Sequence, residues 1–268
     1  MFSEKLMERG TALITGASSG IGEAFARLFA QEGFNLILTA RSEDKLKSLS
    51  DSLDGVETEL VIADLSESQG IGKLIREVDE KGKSIDIIVN NAGMMTEGPF
   101  HELREQDIDK IITLNMTATV KITHHFIEAM KKRGTGRILN VGSVAGFHPL
   151  PSMDIYAATK AFVLSFTESL AENYRSDGIF VTALCPGITN TQMAETNLVE
   201  LAPEFLILEP DEVAREGYDA LMNREVLRIP GTANRIALEL AKHQPRSVIR
   251  GLGRISSKLF GMQKTSRN

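Results

Sequence analysis

The chain has 268 residues, of which 42% are hydrophobic, enough to fill the core of one α/β domain. Its 30 Lys and Arg against 36 Asp and Glu leave a formal net charge of −6, which argues against a general nucleic-acid binder, whose contact face would be basic. A single cysteine, Cys185, excludes an internal disulfide framework and a thiolate metal cluster, so a reducing cytoplasmic setting is expected, with the thiol packed as a small hydrophobe.

The opening stretch, MFSEKLMERG, carries charges of both signs and no apolar run, so no secretory signal is expected there, and no run in the chain reaches membrane-span length. The first strand pattern is TALIT (11–15), and a Gly-rich turn then leads into a helix pattern. The same apolar, β-branched signal returns in NLILT (35–39), ELVIA (59–63), IDIIVNNAG (85–93), GRILNVGS (136–143) and GIFVTALCP (178–186), with helix-period stretches between. Residues 105–133 read as two helices or one broken helix, 153–175 as one long helix, and 211–222 as a short one entered through Pro210 and Asp211. VLRIPG (226–231) reads as a last strand. Strands that are apolar on successive positions are buried on both faces, and joining them through helices makes a parallel sheet with right-handed crossovers. The expected fold is an α/β, doubly wound, Rossmann-like parallel sheet in three layers, a single domain over 1–240. Residues 241–268 form a basic, amphipathic tail expected to be helical and part of the same domain.

In such a fold the ligand crevice lies beyond the carboxyl ends of the strands, where the first turn meets a helix N-terminus. TGASSGIG (15–22) stands at that place. Gly16 can take the dihedrals of a tight turn, Gly20 lets backbone approach a bound phosphate, and Gly22 lets the helix pack against the strand. Free N–H groups and the positive end of the helix dipole favour a pyrophosphate. Taken alone, the turn leaves an ordinary strand-to-helix connection open.

Further stretches narrow the reading. Thr15-Gly16-x-x-x-Gly20-Ile21-Gly22, Asn90-Asn91-Ala92-Gly93, Asn115, Ser143, Tyr156-Ala157-Ala158-Thr159-Lys160 and Pro186-Gly187 with Thr191 occur in that order. This series resembles the short-chain dehydrogenase/reductase family over roughly residues 8–195. The resemblance implies a dinucleotide cofactor held by Gly16, Ser18, Ser19, Gly20, Ile21, Arg41, Asp64, Asn91, Ala92, Gly93, Tyr156, Lys160, Pro186, Gly187 and Thr191. It implies Asn115, Ser143, Tyr156 and Lys160 as the catalytic set, with Asn115 holding a water in a proton relay toward Lys160. It also implies a homodimer or homotetramer.

The residue that reads the adenosine ribose should follow the second strand, where the sequence is Leu38-Thr39-Ala40-Arg41-Ser42. No acidic side chain stands there to repel a 2′-phosphate, and Arg41 can form charge-assisted bonds to one, so NADP(H) is expected over NAD(H). The Gly-rich turn offers Ser18 and Ser19 where strongly NADP-preferring relatives often carry a second basic residue. Asp64 matches the family's adenine-contacting Asp, and a helix N-cap is its other reading.

Reduction of a carbonyl needs a hydride, polarisation of the oxygen and a proton. Tyr156 and Lys160, spaced i and i+4 on a helix, share one face. The nearby ammonium, together with the positive ring of the oxidised cofactor, is expected to lower the phenol from its ordinary pKa of about 10, making Tyr156 the general acid in reduction and the base in oxidation. Ser143, at the end of a strand, can donate to the substrate oxygen. His124 and His125 diverge by about 100° on a helix and have no partner ligands at metal spacing, so they read as packing residues and no metal site is expected.

A segment rich in apolar residues, ITNTQMAETNLVELAPEFLILEP, follows Pro186-Gly187. Leu198, Val199, Leu201, Phe205, Leu206, Ile207 and Leu208 in it, with Met94, Met95, Phe147, His148, Leu150 and Met153 on facing loops, are expected to line a pocket for an apolar carbonyl or alcohol. The tail has no acidic residue after Glu239 and seven basic ones from Lys242 to Arg267. It reads as a cover for the body or an oligomer contact, with a membrane surface as the alternative. An NADP(H)-sensing binding protein without turnover, or a tail-attached reductase of lipid substrates, stands as the rival function; no nucleic-acid partner is expected.

Overall fold

A computed structural model describes residues 10–191 and 203–242. Seven parallel strands form one sheet in the order β3-β2-β1-β4-β5-β6-β7. They are β1 (Thr11–Thr15), β2 (Asn35–Ala40), β3 (Thr58–Ile62), β4 (Ile87–Asn90), β5 (Gly136–Val141), β6 (Ile179–Leu184) and β7 (Leu227–Arg228). The helices are α1 (Gly20–Gln31), α2 (Glu43–Asp51), α3 (Ser68–Glu80), α4 (Glu105–Ile112), α5 (Thr119–Arg133), α6 (Asp154–Tyr174), α7 (Pro210–Met222) and α8 (Thr232–Lys242).

The period-2 alternation of strand side chains explains the three layers. Ala12 and Ile14 of β1, Leu36 and Leu38 of β2 and Val89 of β4 pack with Phe25 and Phe29 of α1, Leu46 of α2 and Leu221 of α7. Leu13, Ile37 and Ile88, on the other face, pack with Leu74 of α3, Ile122 and Met130 of α5 and Ala171 of α6. The inner strands β1, β2, β4, β5 and β6 are buried on both sides, as their continuous apolar runs require, while the edge strands β3 and β7 are only partly buried.

Several expected strands end early. IDIIVNNAG contributes only Ile87–Asn90 to the sheet, and GRILNVGS and GIFVTALCP stop at Val141 and Leu184. The trailing residues leave the ladder at its carboxyl edge, where they meet the site. The last strand shrinks to two residues, registered by bonds from Ala183 N–H to the Val226 carbonyl and from Cys185 N–H to the Arg228 carbonyl.

Between α4 and α5 the rod is not interrupted. Residues Thr113–Ala118 form a π-helical turn, which re-aims side chains without ending the helix. Because β1 lies between β2 and β4, the chain leaves β1 and β4 toward opposite faces, and this reversal opens the crevice that holds the site. Among the described residues no helix is long and apolar enough to cross a membrane. The basic tail beyond Lys242 lies outside the described residues.

Candidate active site

A cleft of about 890 Å³ runs along the carboxyl ends of the strands. All the residues expected to hold a dinucleotide line it, as do Ser143, Tyr156 and Lys160; Asn115 does not.

At its centre, Gly16 adopts φ +67°, a left-handed conformation that favours glycine. Gly22 is required for a different reason. A Cβ there would lie 2.2 Å from the Gly16 carbonyl oxygen and 2.4 Å from Asn91 Nδ2, so the first turn of α1 rests on the loop itself rather than on the strand. Asn91 holds this loop by donating to the carbonyls of Thr15 (2.9 Å) and Gly16 (3.2 Å), while the Thr15 hydroxyl accepts from the N–H groups of Asn91 and Ala92. Asn91 therefore shapes the cleft as well as lining it. A Cβ on Gly20 would meet the Thr191 methyl at 3.0 Å, which brings the chain after β6 against the Gly-rich turn. Ser19 occupies the N-cap of α1 with no side-chain cap bond. This bare, positively polarised helix end, ringed by the Ser18 and Ser19 hydroxyls, fits a pyrophosphate.

One end of the cleft is cationic. Arg41 lines it from just past the end of β2, and Lys45, in the first turn of α2, and Lys110, on α4, line it too. Both lysines escaped the sequence reading; Lys45 has a signal, since it lies four residues past Arg41 once the helix start at Glu43 is known. Asp64 accepts bonds from Ser66 N–H (2.9 Å) and the Ser66 hydroxyl (2.7 Å). Burial raises its carboxyl, but the two Ser66 bonds, Arg41 and Lys110 together hold it below the usual range. The N-cap position of α3 belongs to Glu67, so Asp64 caps the turn before the helix, not the helix.

The other end carries Ser143, Tyr156 and Lys160. Ser143 lies two residues past the end of β5; its Oγ accepts from Ala145 N–H (3.1 Å) and lies 3.5 Å from the Pro186 carbonyl. Tyr156 and Lys160 project from the first two turns of α6, with Lys160 Nζ 5.8 Å from the Tyr156 ring centre. Lys160 is 6% exposed and donates to the Val141 carbonyl (2.8 Å). Burial lowers its ammonium to about 8. Burial also raises the Tyr156 phenol, only partly offset by hydrogen bonding with Ser143. Among the chain's own groups desolvation outweighs what the neighbours supply, whereas the expected downward shift counted the positive ring of a bound oxidised cofactor as well. Cys185, fully buried, has its thiol pushed up to about 12 by desolvation and is a packing residue.

Asn115 sits in the π-turn, 2% exposed, with its side chain turned to protein. Its Oδ1 accepts from Met94 N–H (2.9 Å), and its Nδ2 donates to the Met94 carbonyl (2.9 Å) and the Thr159 hydroxyl (3.0 Å). Beneath the site, Asn90 Nδ2 donates to Thr123 and to Asn140 Oδ1, and Asn140 donates in turn to Thr167, a buried ladder across β4, β5, α5 and α6. Sequence reading missed it; its only trace is an Asn in each of two apolar strands.

The apolar wall is made by Met94, Met95, Val144, Leu150, Met153 and Ile188. Phe147 and His148 do not line it; Phe147 packs instead around Cys185 and Ile229. Of the residues expected after Gly187, Leu198, Val199 and Leu201 lie outside the described residues. Phe205, Leu206, Ile207 and Leu208 do not line the cleft. Leu208 bridges Thr189 and is buried in the core, while the 3-10 turn Glu204–Leu206 leaves Phe205 71% exposed. His125 bonds Asp79 of α3 at 3.0 Å, a link between helices.

The model of the short chain dehydrogenase family matches residues 10–200, and the chain belongs to that family, whose members here are NAD(P)-dependent oxidoreductases acting on CH–OH donors. It is similar to Oxidoreductase UcpA of Escherichia coli (strain K12), 38% identical over 219 residues and 81% of each chain. It is also similar to the very-long-chain 3-oxoacyl-CoA reductase of Mus musculus, 37% identical over 191 residues, 69% of this chain and 61% of the mouse protein. Among solved structures, a short-chain dehydrogenase from Sphingobium yanoikuyae in complex with NADPH matches with TM-score 0.77 and 32% identity, over 97% of this chain and 98% of that one.

Proposed function

We propose that this chain reduces apolar, uncharged carbonyl compounds with NADP(H), with Tyr156 as the proton donor. The observation that carries this is the polarity of the cleft: Arg41, Lys45 and Lys110 stand at one end, and Ser143, Tyr156 and Lys160 meet an apolar, methionine-rich wall at the other. The NADPH bound by the Sphingobium relative supports the cofactor choice. Arg41 and Lys45 would hold a 2′-phosphate by charge-assisted bonds, and the α1 N-terminus with Ser18 and Ser19 the pyrophosphate. Ile21, Asp64, Ala92, Gly93, Pro186, Gly187 and Thr191 would complete the cradle.

When bound, the nicotinamide supplies the hydride. The Ser143 hydroxyl donates to the carbonyl oxygen and draws charge onto it. Tyr156 gives its phenolic proton to that oxygen as it becomes an alcohol, and the Lys160 ammonium stabilises the phenolate left behind. A raised phenol pKa suits a group that must hold its proton until the oxygen becomes basic. The Asn115 side chain is engaged by Met94 and Thr159 and so positions that loop, while its part in a water relay toward Lys160 stays as the family resemblance implies. Three methionines in the wall favour bulky substrates of varied shape, because thioether chains adapt. Two or four copies associate in the assembly we propose, as the family resemblance implies.

Tyr156→Phe tests the reading. NADPH binding, followed by fluorescence, should survive, while turnover of a carbonyl panel including 3-oxoacyl thioesters and apolar ketones falls ~10²–10⁴-fold. A wild-type protein that binds NADPH and reduces nothing across the panel would instead be a cofactor sensor.

A further inference from the structure

The hydroxyl of Thr159 makes two bonds that no reaction step above uses. It donates to the Tyr156 carbonyl (2.8 Å), a back-bond common for Thr in helices, and it accepts from Asn115 Nδ2 (3.0 Å). The second bond is the unusual one, because Asn115 in turn grips both the N–H and the carbonyl of Met94 at 2.9 Å. Thr159 and Asn115 are 1% and 2% exposed, so no bulk water replaces a lost partner. Three segments distant in sequence are thereby tied: the turn of α6 that carries Tyr156, the π-turn, and the loop after β4 that places Met94 and Met95 in the wall.

We propose that Thr159 is a positioning residue that fixes the Met94–Met95 wall relative to the Tyr156 phenol, and so sets how well a bound carbonyl is presented to its proton donor. The proposal rests on the reading of Tyr156 given above. Removing the hydroxyl strands one buried donor of Asn115, and the amide regains a partner only by rotating away from Met94. The wall then loosens at the point where substrate meets the donor, and small misplacements there are costly.

Thr159→Val keeps the shape and deletes the hydroxyl, whereas Thr159→Ser keeps the hydroxyl and deletes the methyl. In the valine variant kcat is expected to fall ~10-fold with the NADPH Kd within about twofold of wild type. Exchange of the Met94 amide with deuterium should accelerate ~10-fold while core-strand amides stay unchanged. The serine variant should restore both. A valine variant within about twofold of wild type on both measures, or a serine variant as impaired as the valine one, overturns the proposal. Should the valine variant not fold, Thr159→Ala, read by the same exchange against Thr159→Ser, decides the matter. Amide exchange needs no substrate, so a chain inactive on every carbonyl would sink the reductase reading while the exchange result still judges Thr159.

Discussion

Lys160 is the group on which function and stability should pull hardest against each other. It is 6% exposed, and burial brings its ammonium from an ordinary 10.5 to about 8. That difference corresponds to ~3 kcal/mol against the folded state at pH 7, where the side chain is charged in both states. Lys160→Met removes the charge with an unbranched chain of similar length. It also removes the bond to the Val141 carbonyl, worth ~1 kcal/mol. The variant should therefore be more stable than wild type by ~2 kcal/mol at pH 7 while turnover collapses. Between pH 8 and 10.5 the unfolded chain keeps a proton at Lys160 that the folded chain releases, so the Lys160 contribution to wild-type stability rises with pH through that window. The variant's advantage is thus full below pH 8 and gone near 10.5. Cys185, raised from 9.0 to about 12, loses its proton first in the unfolded chain and so lowers the stability of both proteins in the upper part of this window, which leaves their difference to Lys160. Urea titrations of both cofactor-free proteins at pH 7, 9 and 10.5, with m-values checked for equality, measure the difference. A variant less stable than wild type at pH 7, or a difference that ignores pH, would refute the reasoning.

Two further substitutions probe the cofactor cradle. Gly22→Ala drives a methyl to 2.2 Å from the Gly16 oxygen and 2.4 Å from Asn91 Nδ2, so stability should drop by ~1–3 kcal/mol in thermal melts and NADPH should bind ~10-fold more weakly; unchanged melting and affinity would contradict the close approach. Arg41→Ala should weaken NADPH ~10–100-fold and leave NADH nearly untouched, as loss of a charge-assisted bond predicts. Lys45→Ala should act in the same direction by up to ~5-fold, since a lysine ammonium lacks the bidentate fork that a guanidinium offers a phosphate. Equal losses for NADPH and NADH in a fluorescence titration would remove both residues from the 2′-phosphate site.

The features legible in the sequence are those in which short spacing decides geometry. Apolar runs such as Leu36–Leu38 announce strands buried on both faces, and Tyr156 with Lys160 share a helix face wherever that helix packs. The illegible features depend on which strands become neighbours. Asn90 and Asn140 look like separate polar intrusions until β4 pairs with β5 in the register that sets them side by side. The π-turn around Asn115 has no local signature, because what accompanies it is a grip on Met94 and Thr159, 21 residues before and 44 after. The Tyr156 phenol shows the same limit in its charge state. A lysine four residues away can be counted in the sequence and suggests a lowered pKa, whereas desolvation is a property of everything packed around the ring and raises it. The proton donation proposed for Tyr156 therefore depends on long-range packing, as the clamp on the Met94 loop does, and neither can be tuned by altering the Tyr-to-Lys spacing alone.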